Sequence, residues 1–376
     1  MQKRMLAVVL ALILLCGCGG QEKEVSNKDN SISLQVPDAA VEDEKEIPKV
    51  TVTEYPMPEE VARLEKLDFT NMGLYADEAQ SMRNSNQLSA GYFSADGEGN
   101  IYFTDFTNAA ICVCGQEGED KEILYAGSGA YLQYTNGYLY FGGIEPKDKY
   151  IDSFVRIDCN TKEAEVLYEK PCGEVMVLRD VMYLIEPGLS AMKLDEPDSE
   201  IVGLSEIEYA FLNTDGRYLL YNMVITEKPR FLFERGYVLA WDTETETNYF
   251  VESGMVFPLL AGNWLSYYDV RTNTRHVLDL KTGTDTDLEY SIQRPVSDGH
   301  KLYWCVQEEV GSFQIFQWDG KEIQELCTVE VESEKIGDIR LFLAEGYLYW
   351  MFEAKLREEA EWGYYRLADG KAGRLN

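Results

Sequence analysis

A seven-bladed β-propeller is the fold this sequence predicts, and three observations predict it. An aromatic strand signature recurs seven times, it recurs at one period, and tight-turn residues punctuate it. The copies are Asn100-Ile101-Tyr102-Phe103, Gly137-Tyr138-Leu139-Tyr140-Phe141, Val181-Met182-Tyr183-Leu184, Arg217-Tyr218-Leu219-Leu220-Tyr221, Asn263-Trp264-Leu265-Ser266-Tyr267, Lys301-Leu302-Tyr303-Trp304 and Gly346-Tyr347-Leu348-Tyr349-Trp350. Their central apolar residues are separated by 38, 43, 37, 46, 37 and 46 positions. A repeat of about 40–45 residues is the length of a four-stranded propeller blade. Thr135-Asn136-Gly137, Thr214-Asp215-Gly216, Ser297-Asp298-Gly299 and Asp319-Gly320 have the chemistry of hairpin turns that need positive φ.

In chain order, Gln2-Lys3-Arg4 is a basic start, and Met5 to Leu15 is an apolar run too short for a stable membrane span. Leu15-Cys16-Gly17-Cys18 resembles the lipobox of bacterial lipoproteins. That resemblance implies cleavage after Gly17, with residues 1–17 as signal peptide, and a lipidated N-terminus at Cys18. Two acyl chains suffice for stable anchoring, so an extracytoplasmic position on the cell membrane is expected. Residues 18–55 are charged and poor in aromatics, the composition of a disordered acidic tether.

Residues 56–87 form a lead-in to the propeller. Pro58-Glu59-Glu60 opens a short helix, with Val61, Leu64 and Leu67 at helical spacing, that would pack on the propeller rim. Residues 68–87 are ambiguous: Leu74-Tyr75 suits an extra strand, and the stretch offers the material for an eighth blade. The propeller proper spans 88–376. In its last unit Ile339 to Leu343 is strand A, Tyr347 to Phe352 strand B and Gly363 to Leu367 strand C, with a brief strand D at the end. Two sandwich domains are the weaker architecture, because sandwich strands alternate apolar and polar residues and do not repeat at a fixed period.

Asp96-Gly97-Glu98-Gly99-Asn100-Ile101-Tyr102-Phe103-Thr104-Asp105 resembles the YWTD repeat of low-density-lipoprotein-receptor propellers and the NHL repeat. Residues 88–376 are similar to bacterial lipoprotein propellers grouped with the former. Only the first unit keeps the Thr104-Asp105 ending, so the polar contacts that this Asp makes in the family are implied for one blade alone. The resemblance implies a fold and a binding habit, not a reaction.

The 66 acidic residues outnumber the 34 basic ones, for a net charge of −32. Such a chain is repelled by polyanions, which excludes nucleic acid as a partner. Six cysteines follow Cys18. The oxidising compartment permits disulfides, and Cys159 with Cys172, flanking one strand, is the most plausible pair. Free buried cysteines acting as small apolar residues are an equal alternative.

Little in the sequence announces chemistry. His276 and His300 are too few for a multi-histidine metal site, and each reads as structural or solvated. No nucleophile elbow, phosphate loop or dinucleotide fingerprint is present, and nothing calls for a cofactor. Asp285-Thr286-Asp287 and Asp96-Gly97-Glu98-Gly99-Asn100 read as turns more readily than as calcium loops. In a propeller the B–C and D–A connections share one face, and the B–C connections 142–153, 223–236 and 353–362 are long. Long loops on a rigid scaffold carry recognition. Lys228, Arg230, Phe231, Phe233 and Arg235, with Tyr150, Arg271 and Arg357 on the same face, supply the Arg and aromatic character of an interface.

The expectation is a non-catalytic propeller, lipid-anchored to the membrane, that binds a protein, peptide or glycan through those residues. An envelope assembly scaffold is the second reading. A propeller lyase or hydrolase using funnel carboxylates is the third. It ranks last because strands such as Val175-Met176-Val177-Leu178 and Phe257-Pro258-Leu259-Leu260 are apolar where polar residues are needed.

Overall fold

The computed structural model describes residues 57–69, 73–144, 151–171, 173–186, 188–194, 201–205, 210–225, 235–269, 271–290, 292, 294–307, 309–332, 337–355 and 359–375. These form seven antiparallel sheets of four sequential strands each, the seven blades of a propeller ring. Blade 1 covers residues 93–125, blade 2 128–168, blade 3 175–205, blade 4 210–253, blade 5 255–287, blade 6 296–330 and blade 7 338–374. Each strand A lines the central channel, and strand D lies at the rim. All seven aromatic signatures fall on strand B.

Strand B is apolar on both faces because blades stack on either side of it. In blade 7, Tyr349 packs on Phe93 of blade 1 at 4.6 Å between ring centroids. The next residue, Trp350, packs on Phe313 of blade 6 at 5.6 Å. Successive side chains of a strand point to opposite faces, so consecutive aromatics serve consecutive blade interfaces. The core is therefore a ring of inter-blade layers rather than one central cluster.

Ahead of the ring, α1 (Glu59–Ala62) buries Val61 among residues of blades 3 and 4. The two-residue strand Glu65–Lys66 then adds in parallel to the rim strand of blade 4. The described residues of 68–87 supply neither an extra blade nor, at Leu74-Tyr75, a strand, and the ring has seven blades. Glu78–Leu88 instead forms a second helix, α2.

The hairpins of the B–C face are longer than the sequence suggested. In blade 4 the B–C ladder continues through Val224 opposite Gly236 to Ile225 opposite Arg235. In blade 7 it runs on to Lys355 opposite Glu359. Much of what reads as loop in 223–236 and 353–362 is thus strand.

Candidate functional site at the channel mouth

The functional geometry begins with α2, a helix of unusual composition. Its sequence Glu-Ala-Gln-Ser-Met-Arg-Asn-Ser-Asn-Gln-Leu is polar, yet Ser81, Asn84, Ser85, Asn86 and Gln87 are buried. The helix touches the inner strands of blades 1, 2, 4, 5, 6 and 7, which places it on the ring axis. Inner strands present unpaired backbone N–H and C=O groups to the channel, and buried groups of that kind need partners.

The side chains of α2 supply them. Asn86 donates to Leu343 O at 2.9 Å and accepts from Leu343 N at 2.8 Å. Asn84 donates to Thr214 O and Leu260 O and accepts from Thr214 N. Ser85 makes the same two-way pair with Ser297. Each short polar side chain behaves as a fragment of an adjoining strand.

The helix starts on the Asp77 side chain, which accepts from Gln80 N at 2.7 Å. It ends where Ala90 and Gly91 turn to positive φ, and Gly91 N bonds back to Asn86 O. A Cβ on Gly91 would come within 2.4 Å of Tyr131 Cα, so only glycine fits that position.

Ser81 reaches Gly262, in the A–B turn of blade 5, so α2 fills the channel from the A–B side. The opposite end, on the B–C side, carries a charged group of residues. Asp338 opens strand A of blade 7, Arg294 precedes strand A of blade 6, and Gln307 follows strand B of blade 6. Arg340 lies two residues into strand A and donates to Asp338 at 2.6 Å. It also donates to Ser89 O at 3.3 Å, at the C-terminus of α2, where a cation is favoured. Arg294 approaches Asp338 at 3.4 Å.

Glu353 is the cross-strand partner of Asp338 and is only 3% exposed, whereas the Asp338 side chain is 24% exposed. Directly opposite residues of an antiparallel pair have Cβ atoms about 4.5–5.5 Å apart on one face. Gln307 accepts from Gly337 N, while its amide nitrogen is buried with no partner among the described residues. Burial pushes the Cys305 thiol up to about 12, and the neighbouring Asp338 charge adds to that.

The mouth therefore brings together two carboxylates in unequal environments, two guanidiniums and a polar amide above a closed floor. Two acids held differently can divide the roles of proton donor and base. Among the described residues no group of His, Cys, Asp and Glu is arranged to hold a metal ion. The sequence hid this group because Asp338 and Arg340 flank an apolar run, and Glu353 ends one.

Of the residues expected to bind a partner, Tyr150, Lys228, Arg230, Phe231, Phe233 and Arg357 lie outside the described residues, as do Cys18 and Cys172. Arg235 is placed by its backbone in strand C of blade 4, and its side chain is likewise outside the description. Arg271 is clamped by Asp269 through contacts of 3.0 and 3.1 Å from its Nε. Burial pushes the Asp269 carboxyl up, but the Arg271 side-chain and backbone bonds outweigh it and leave it below the usual range. Cys159 is a free, half-buried thiol rather than half of a disulfide. Asp96 accepts from the N–H groups of Glu98 and Asn100, so that loop is a side-chain-capped turn.

No family model matches the sequence, and no curated protein does. The fold, however, is similar to solved structures. A puromycin-hydrolysing peptidase of Mycobacterium tuberculosis matches with a TM-score of 0.54 and 13% identity, over 81% of this chain and 56% of that one. This chain thus spans little more than half the length of the peptidase. An oligogalacturonate lyase in complex with manganese matches at TM-score 0.52 and 13% identity, over 75% of this chain and 86% of the lyase. A chain of the mitotic checkpoint complex matches at 0.51 and 10% identity, over 75% and 90%.

At these identities the likeness is one of fold. It nonetheless corrects the expectation of a non-catalytic binding propeller. Two of these three structures are enzymes, a hydrolysing peptidase and a lyase. The inner strands named in that expectation are apolar, but strand A of blade 7 carries Asp338 and Arg340.

Proposed function

We propose that the protein is a hydrolase or lyase that cleaves a glycosidic bond in the blind funnel above α2, with Asp338 and Glu353 as its working carboxylates. The observation that carries this reading is their pairing across strands A and B of blade 7, in a ring whose A–B side is filled by α2. Glycoside cleavage needs one carboxyl to protonate the leaving oxygen and one to act as base or nucleophile. The buried Glu353 suits the acid. Asp338, more exposed and held between Arg294 and Arg340, suits the ionised partner.

Arg294 has the position to meet a carboxylate or hydroxyl of the sugar. The oligogalacturonate lyase among the similar structures supports a sugar acid as substrate class. The charge of −32 argues for a short oligosaccharide rather than a long polyuronate.

The test is incubation of the purified protein with a panel of neutral and uronate-containing oligosaccharides, followed by mass spectrometry of the products. Cleavage that disappears in both Asp338→Asn and Glu353→Gln, each folded by circular dichroism, supports the reading. Cleavage that survives both substitutions, or no cleavage of any member of the panel, overturns it. The location follows separately. The lipobox-like Leu15-Cys16-Gly17-Cys18 supports an extracytoplasmic lipoprotein of the YWTD-like propeller group. Incorporation of labelled palmitate that is lost in Cys18→Ala would test the anchor.

A further inference from the structure

Blade 5 holds a second constellation, independent of the funnel. Thr272 lies in its B–C turn, His276 on strand C (Thr274–Asp279) and Asp285 on strand D (Asp285–Asp287). His276 Nδ1 is 2.9 Å from Asp285 Oδ2, and His276 Nε2 is 3.1 Å from Thr272 Oγ1. A carboxylate only accepts, so the Nδ1 proton points at Asp285 and Nε2 offers its lone pair to the Thr272 hydroxyl. Thr274 Oγ1 donates to Thr272 Oγ1 at 2.7 Å, which leaves the Thr272 proton free to face the imidazole.

The ring is oriented from a third side by Tyr267, stacked on it at 5.4 Å. Asp287 stands 3.6 Å from Nε2, on the side where an imidazolium would form. His276 is buried while Thr272 is exposed, so the hydroxyl is reachable from solvent and its base is sheltered. Arg271, next in the chain, rests against Gly254 and brings a guanidinium to the same turn.

We propose that Thr272, His276 and Asp285 form an acyl-transfer site that takes small activated esters, with Thr272 Oγ1 as the nucleophile. Hydroxyl, base and orienting carboxylate stand in the order that nucleophilic catalysis requires, on a fold unrelated to those in which the arrangement is familiar. In the first half-reaction Oγ1 bonds to the ester carbonyl carbon and its proton passes to Nε2. The bond from that carbon to the leaving oxygen breaks, and the leaving group takes the proton from the imidazolium. Water, deprotonated by the same nitrogen, then cleaves the acyl-threonine, releases the carboxylic acid and restores the hydroxyl.

The test uses the full chain in detergent with p-nitrophenyl acetate, a probe that does not involve the glycosidic chemistry of the funnel. The two proposals therefore fail separately. The expected result is p-nitrophenol release with an acetyl group on the peptide containing Thr272. Thr272→Val, isosteric and at an exposed turn, should abolish the labelling, and Thr272→Ser should retain it. Asp285→Asn, which permits the other tautomer, should slow release by about a hundredfold or more. An acetyl group found on lysines instead, or equal release by Thr272→Val, overturns the assignment.

Discussion

Two blade junctions show how this ring holds itself together. Between blades 4 and 5 the chain runs on directly through Ser253, Gly254 and Met255, and buried side-chain amides bond to backbone groups across the junction. Asn213 donates to Pro258 O and accepts from Leu260 N, Asn222 donates to Met255 O, and a Cβ on Gly236 would lie 2.1 Å from Met255 O. Between blades 7 and 1 no chain runs on, and no strand is exchanged, because each blade is made of consecutive strands. Side chains substitute for connectivity there. Trp362 packs on Phe103 at 5.2 Å and donates to Thr104 O. Phe93 lies against Phe342 and Tyr349, and Tyr349 donates to Gln116 O. Glu117 gathers Arg366, Lys371, Tyr347 and Tyr364. A continuous junction tolerates the loss of one contact, whereas a seam is the sum of its contacts.

That contrast can be broken most severely at Trp362. Trp362→Ala should cost about 3–5 kcal/mol, and urea unfolding should resolve a species with an open seam before the blades melt. A single transition at lower urea would refute the seam as the weak point. Asn213→Ala at the continuous junction should cost about 1–3 kcal/mol, since it strands buried backbone groups, and should keep one cooperative transition. Asn86→Ala removes both bonds to Leu343 and should cost a similar amount. Because Asn86 ties the axis to blade 7, amide exchange should rise in strand A of that blade rather than in blade 4.

Glu117→Gln should lower Tm by only a few degrees, an effect that shrinks at high salt because its charged partners Arg366 and Lys371 are near solvent. Hydrogen bonding to Lys371 is the main cause holding the Glu117 carboxyl below its usual range.

Acid makes the finest comparison. Arg217 holds the Asp242 carboxyl down to about 2, and Arg366 does the same for Asp369 beside the seam. A carboxyl lowered by folding stabilises the fold above its unfolded value, and that contribution is lost as pH falls through the folded value. The loss should therefore run from about pH 4 to about pH 2. Asp369→Asn should flatten the seam's share of it while leaving the Asp242 share in blade 4.

The repeat was legible because strand B must be apolar on both faces, so Ile101, Leu139 and their counterparts announce themselves wherever the blade packs. The funnel was not. Strand A is judged apolar from runs such as Val175-Met176-Val177-Leu178 and Phe257-Pro258-Leu259-Leu260, whereas in blade 7 Asp338 and Arg340 alternate with apolar residues. Asp338, Arg340 and Glu353 meet through the register of one hairpin, and Arg294 joins them from the neighbouring blade, a pairing that no short sequence pattern announces. α2 was invisible for the opposite reason. Amphipathic periodicity marks helices that bury apolar faces, and this one buries Asn84, Ser85 and Asn86 because its surroundings are strand edges. His276 read as a satisfied histidine, and it is one. What makes it of interest is Thr272 on a turn, a residue type too common to signal anything.

The position of α2 in the chain has a consequence for how the molecule comes into being. Its residues emerge before any blade, yet Asn84 finds its partners 130 and 176 residues later, and Asn86 finds its own 257 residues later. An isolated 11-residue helix of this polarity is marginal in water. The axle must therefore wait, unformed, until the wheel is nearly complete, and contacts of such long range make folding slow. Closure of the seam and seating of the helix become one late event, so a chain truncated in blade 7 would lose its axis as well as its last blade.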